Sequence, residues 1–314
     1  CRFYKDQKLK TIWNKLFIVI LLVIASCSKP PIELNKLQKE NNYFFHLSPN
    51  KPFSGTAISK HETGINKLQG RIKNGLKEGR WVKYYKNGQT EFVKHYTKGK
   101  LDGSFTSWWE NGNKWSEGTY ENGVLVGVYT EWYENGIREY ETSKKDENGI
   151  SIHRSWYESG GKESEVYFND DVQDGPMTYW YENGNKWSKD NYKNGIVTGK
   201  SLSWYKNGQK KREGNFINGK EDGLWIEWWE SGAKWSEDFY VDGVLHGTVK
   251  KWHENGQVMV EGQVTNGIDN GVWRNWWENG TKSYEGIYKN GELDQLVGRW
   301  NKDGTEKKEP FWWE

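Results

Sequence analysis

Seven glutamates, Glu110, Glu134, Glu158, Glu182, Glu230, Glu254 and Glu278, fall at multiples of 24 residues from one another. Carboxylates in a ladder are the raw material of a cation site, and calcium needs several oxygens at about 2.3–2.6 Å from one ion. Gly195–Ser201, GIVTGKS, resembles a phosphate-cradling loop, yet three residues separate its glycines where that loop has four. The six histidines do not cluster in sequence. His153 takes the aromatic slot of Phe105 and Tyr129, and His253 takes that of Tyr133 and Tyr157. Folding could bring His246 and His253 together, but no third ligand accompanies them, so zinc is not expected. No serine, histidine and aspartate are placed for nucleophilic catalysis. Cys1 and Cys27 are the only cysteines, so the chain beyond Cys27 has no thiol nucleophile, disulfide or thiolate ligand. The expectation is a non-enzymatic chain with no catalytic residue, no metal site and no cofactor.

What must position these residues is a repeat. Trp108, Trp132, Trp156, Trp180, Trp204, Trp228, Trp252, Trp276 and Trp300 are each 24 apart, and the glycines from Gly88 to Gly304 keep the same step. The 314 residues include 21 Trp and 36 Gly, with a mean hydropathy of −1.01, too polar for one large aliphatic core. One repeat reads GSFTSWWENGNKWSEGTYENG, with Asn-Gly pairs at 111–112 and 122–123. Asn-Gly favours a type I′ hairpin turn, and the polar-aromatic alternation between turns reads as strand. The predicted fold is all-β: an elongated antiparallel β-meander sheet of 24-residue two-strand repeats. Equivalent residues then lie two strands, roughly 9.6 Å, apart. Neighbouring glutamates of the ladder cannot share one ion, and they read as solvated turn carboxylates near Lys114 or Lys186.

A single sheet has no second layer to bury its faces, so burial must come from rings lying along it. Gly118, Gly214, Gly262 and Gly286 recur in the second strand of the repeat. A missing side chain there leaves room for a ring from an adjacent strand. In the first strand, Phe105 and Trp109 share one parity and Trp108 has the other. The Trp108 series is constant, whereas the Phe105 series runs through Tyr129, His153, Met177, Ser201, Trp225 and Val249. Constancy assigns the Trp108 face to packing. The face carrying Trp109, Tyr133, Tyr157, Tyr181, Tyr205 and Trp229 is the expected contact surface. Between about Glu141 and Asp174 the pattern degrades: Lys144 replaces an aromatic residue, Glu147 and Asp171 take turn-glycine positions, and Asn148-Gly149 comes two residues late. This stretch is expected to be the least stable part of the array.

The stretch GSFTSWWENGNKWSEGTYENGVLVG resembles the bacterial variant of the MORN repeat (membrane occupation and recognition nexus), whose members are often described as YwqK-type antitoxins. The resemblance covers Lys51 to Gly304 and implies a β-meander sheet. Ser151 and Gln295 stand where the pattern has Gly. Upstream, Lys8, Lys10 and Lys15 precede the apolar Leu16–Ile24, and Ile24-Ala25-Ser26-Cys27 is similar to the lipobox of bacterial lipoproteins. That resemblance implies cleavage after Ser26 and acylation of Cys27, anchoring the chain to a membrane through two or three acyl chains. The expected organisation is a signal peptide over 1–26, a lipidated tether over 27–50, the array over 51–304 and a C-terminal cap over 305–314. A net charge of +2 with interspersed signs excludes a polyanion-binding stripe, so nucleic acid is not an expected partner. The expected function is to bind a protein or glycan in the cell envelope, facing the periplasm or the cell surface. The alternative is an immunity-type neutraliser of a cognate toxin.

Overall fold

Two kinds of turn, alternating along the chain, make these residues a meander. At Asn122-Gly123 both residues take positive φ, 51° and 90°. That is the type I′ turn expected of Asn-Gly, and it joins strands Lys114–Glu121 and Val124–Trp132. The other pair, Asn111-Gly112, does not form the expected turn. Only Gly112 has positive φ, 91°. The Gly112 amide donates to the Trp109 carbonyl at 2.9 Å, and the Trp109 amide donates to that of Asn113 at 2.8 Å. The result is a three-residue loop ending in a left-handed glycine, a hairpin that carries a bulge. The bulge appears in the register, where Lys114 opposes Trp108 but Ser116 opposes Ser107.

The computed structural model describes residues 29–47, 51–143 and 145–307. The chain divides into two compact units, Cys1–Val126 and Gly127–Glu314. Among the described residues there is no α-helix, only a 3-10 turn over Leu34–Lys36. The expected signal peptide, Cys27 and most of the expected C-terminal cap fall outside the described residues.

In the first compact unit, strands Gly55–Lys60, Asn66–Lys73, Leu76–Tyr84, Thr90–Thr97, Gly103–Trp108 and Lys114–Glu121 run antiparallel to their sequence neighbours. The segment expected to be a tether is structured from Ile32 onward. Ile32 and Glu33 pair in parallel with Ala57 and Ile58, and Leu37–Glu40 forms a hairpin with Tyr43–His46. Phe44 packs on the first repeat. Its amide donates to the Gly75 carbonyl at 2.7 Å, and it joins Leu37, Phe53, Ala57, Ile72 and Trp81 in a buried cluster.

The second compact unit repeats the meander from Arg138–Thr142 to Glu292–Arg299. The first strand of a repeat is often split, as at Ile196–Val197 and Gly199–Trp204. The residue at the split donates its amide back across the hairpin, Thr198 to the Asn191 carbonyl at 2.8 Å. Two turns depart from the pattern. Asp170 and Asp171 both take positive φ, 46° and 67°, where most other repeats have Asn-Gly. Between Arg138–Thr142 and Ile150–Trp156 the tight turn slides to 146–149, where the Gly149 amide donates to the Asp146 carbonyl at 3.1 Å. The late Asn148-Gly149 is therefore a bulged-type turn.

Candidate binding surface

One face of each compact unit is a row of rings and gaps. The first-strand residue at the Phe105 position always opposes the residue 13 further on: Ala57 with Gly70, Trp81 with Lys94, Phe105 with Gly118, Ser201 with Gly214, Trp225 with Asp238, Val249 with Gly262. Where such a pair is small, the next repeat supplies a large ring to cover it. A Cβ added to Gly70 would lie 2.1 Å from Trp81, on Gly214 2.0 Å from Trp225, and on Gly262 2.1 Å from Trp273. At Gly118 the ring is that of Phe105, at 2.8 Å. Gly286 differs, since the Tyr284 hydroxyl of its own strand occupies the space. Trp81 is 0% and Trp225 2% exposed, and Phe105 and Val249 are buried with them. Packing is therefore not confined to the Trp108 face, to which constancy assigned it. The variable Phe105 series is the core row, and its variation is volume compensation between strands.

The Trp109 series lies one position beyond the first strand, at the mouth of the bulged turn. In the second compact unit, Tyr133, Tyr157, Tyr181 and Tyr205 donate their hydroxyls to the carbonyls of Trp156, Trp180, Trp204 and Trp228, at 2.8, 2.6, 3.0 and 2.8 Å. The indole N–H of Trp229 donates to the Trp252 carbonyl at 3.2 Å, and His253 Nε2 meets the Trp276 carbonyl at 2.8 Å. In the first compact unit, Tyr85 makes the same bond to Trp108 at 2.7 Å. Each ring thus staples its repeat to the next. Burial, and then neighbouring glutamates such as Glu139 and Glu163, raise the tyrosine hydroxyl pKa at Tyr133, which keeps it a donor. The stripe expected to be free for a partner has committed its polar tips, so only ring surface is left for contact. His253 acts as an aromatic substitute that also keeps the staple.

A second set of bonds runs along the same edge. Asn135, Asn183, Asn207, Asn255 and Asn279 donate their side-chain amides to carbonyls 23 residues on, at 2.6–3.1 Å. Their Oδ1 atoms accept from the amide two residues on, as in Asn207 to Gln209 at 2.9 Å. Asparagine supplies a donor and an acceptor from separate atoms here, whereas an ionised aspartate offers acceptors alone. At the opposite edge, carboxylates cap the type I′ turns, Glu78 at the Lys98 amide and Asp174 at that of Asn194. His246 holds the same place beneath Asn266, 3.4 Å away.

The other face carries the constant Trp series, half-buried, and several of its rings lie under a cation of the preceding repeat. Lys162 lies 4.9 Å from the Trp180 ring, Lys210 4.9 Å from Trp228 and Lys234 5.1 Å from Trp252. A cation over an indole face adds to stability and shields the ring. The bulge residues are what the interior leaves over: Trp115 is 42% and Trp187 50% exposed. Trp115 lies 5.3 Å from the Trp109 ring, and Trp187 lies 5.6 Å from Tyr179 and 6.3 Å from Tyr181. Among the described residues, no group of three or more His, Cys, Asp or Glu is placed to hold a metal ion, and no helix is long and apolar enough to cross a membrane.

The chain belongs to the MORN repeat variant family. The family model matches seven times, at residues 77–98, 101–122, 125–149, 173–194, 197–218, 245–266 and 269–290. No curated protein matches the chain. Two solved structures, "Crystal Structure of TcdB2-TccC3" and "Crystal Structure of TcdB2-TccC3-Cdc42", share 10% and 11% identity with it. Each similarity covers 78% of this chain and 18% of the other, with TM-scores of 0.17 and 0.14.

Proposed function

We propose that this chain is a non-enzymatic binding protein of a bacterial cell envelope, held to a membrane by lipid on Cys27, which engages a protein or glycan through ring surface on the sheet. The observation that carries the reading is the half-exposed Trp187 beside Tyr179 and Tyr181. The staples and the core row account for many other rings, whereas Trp187 is half exposed and, among the described residues, meets only the rings of Tyr179 and Tyr181. Trp and Tyr rings grouped at a surface are the residue types on which interface hot spots are built. The ring faces of Tyr157, Tyr181 and Tyr205 flank it as secondary contacts, and Trp109 with Trp115 offers a similar pair in the first compact unit. A cognate toxin would be one such protein partner.

Capture of partners from the native envelope, followed by mass spectrometry, tests the reading. Trp187→Ala should weaken capture at least fivefold and leave the melting temperature nearly unchanged. Equal capture by the variant removes the support for this surface. Cys27→Ala should release the protein from the membrane fraction or leave an unprocessed precursor, and unchanged processing and retention would refute the anchor.

A further inference from the structure

An exception to a repeated ion pair marks a second site, on the face opposite Trp187. A lysine or arginine pairs with the glutamate three residues later at Lys114–Glu117 (2.7 Å), Arg138–Glu141 (3.0 Å), Lys162–Glu165 (3.1 Å), Lys210–Glu213 (2.5 Å), Lys234–Glu237 (2.5 Å) and Lys282–Glu285. In a regular strand, residues three apart point to opposite faces. Here the bulge inserts one residue between them, which returns both side chains to one face and lets their heads meet.

The copy in the middle of the second compact unit reads Lys186-Trp187-Ser188-Lys189. Its bulge is the same, with Trp180 opposite Lys186 and Tyr179 opposite Ser188. An ammonium group therefore stands where the carboxylate stands elsewhere. Both lysines are exposed, and neither has a carboxylate partner among the described residues. Lys186 lies 5.9 Å from the Trp204 ring. Lys189 is flanked across the ladder by Thr178 and Leu202, and Leu202 and Ile226 both oppose Glu213, which places the two apolar side chains on this face.

We propose that Lys186 and Lys189 form a site for a carboxylate supplied from outside the chain, an acidic side chain of a protein partner. The inference rests on the reading of this chain as a binding protein, and it names the chemistry of one contact. The bulge sets the slot to the reach of a carboxylate, since six other copies hold one there. Two cations around a vacant acceptor position repel each other until an anion lies between them. A protein is favoured over an acidic sugar because the nearby indole faces are already covered, Trp180 by Lys162 and Trp204 by Lys186. Leu202, directly across the ladder from Lys189, suits the apolar surroundings of an acidic side chain in a protein interface.

A fluorescein-labelled hexaglutamate peptide, titrated into the full chain at low salt and followed by anisotropy, tests the site. Lys189→Glu restores the repeated pair and should weaken binding at least tenfold without lowering the melting temperature. Lys211→Glu makes the same charge change on the opposite face, where Lys211 lies over Tyr205, and should stay within twofold of the native chain. Absence of peptide binding, equal binding by Lys189→Glu, or an equal loss in Lys211→Glu would overturn the site. Tighter, Lys189-dependent binding of an oligogalacturonate would overturn the assignment to a protein. Envelope capture that depends on Trp187 but not on Lys189 would overturn this site and leave the broader binding reading intact.

Discussion

At the scale of the residue, glycine and tryptophan are two halves of one device. Trp225 lies flat over Gly214, and a Cβ at that glycine would sit 2.0 Å from the indole, well inside any tolerable contact. The ring is 2% exposed and has Arg212 stacked on it at 3.9 Å, so it has nowhere to move. Gly214→Ala should therefore destabilise the protein by about 3 kcal/mol, at the upper end of what overpacking costs. In a Trp225→Ala background the same change should cost little, because the clash is gone. A double-mutant cycle on thermal or urea unfolding measures the difference, and equal costs in both backgrounds would show that the glycine serves only the backbone. The pairing of ring and gap was legible in the sequence at Gly118, Gly214 and Gly262. The burial of the Phe105 series was not. Its variation looks like recognition until each residue is set against its neighbour 13 positions on, where Ser201 meets Gly214 and Trp225 meets Asp238.

At the scale of the element, the turn type follows from register as well as from the dipeptide. Asn-Gly is written at both ends of a repeat, but only the 122–123 pair closes a two-residue hairpin. At 111–112 the hydrogen bonds enclose three residues, and at the equivalent turns of the second compact unit the asparagine, Asn183 or Asn207, reaches the next repeat with its side-chain amide. That second use of asparagine leaves no mark in a single repeat. It becomes visible only once stacking places turns 23 residues apart against each other. The departures around Glu141 to Asp174 were legible, and they fall where the turn slides and where two aspartates adopt left-handed backbone. A non-glycine residue in that region carries about 1 kcal/mol of strain. Asp171→Gly should recover most of it, stabilising the protein by about 1 kcal/mol, because the Lys145 contact it loses is at the surface and Asp170 also faces that lysine. Hydrogen exchange should show the 141–174 segment less protected than 186–221, and Asp171→Gly should narrow the gap. Equal protection in the native chain would contradict the claim that this is the weakest stretch.

At the scale of the whole molecule, stability is a sum over repeats and their interfaces, so small electrostatic terms that recur add up. Glu213 accepts hydrogen bonds from Lys200 and Lys210, which hold its carboxyl below the ordinary value of 4.5, and Lys282, followed by Arg274, does the same for Glu285. Depressed carboxylates contribute stability that is present above the unfolded value and is lost as pH falls through the folded one. Glu139 has the opposite sign. Burial first, and then Glu131, Glu158 and Glu163, push its pKa up, so acid relieves repulsion there before it breaks the ion pairs. Glu165 and Asp174 are held down as well, whereas Asp238 is pushed up by burial, so the depressed carboxylates outnumber the raised ones and loss should dominate. The melting temperature should change little from about pH 7 to 5 and then fall by several degrees toward pH 3, with a smaller fall in high salt because these pairs are largely exposed. Carboxyl-carbon NMR titration separates the two groups: Glu213 and Glu285 should titrate below 4.5 and Glu139 above it. A melting temperature that rises on acidification, or a Glu139 that titrates below Glu213, would mean that the ion pairs of the bulges do not hold the array together.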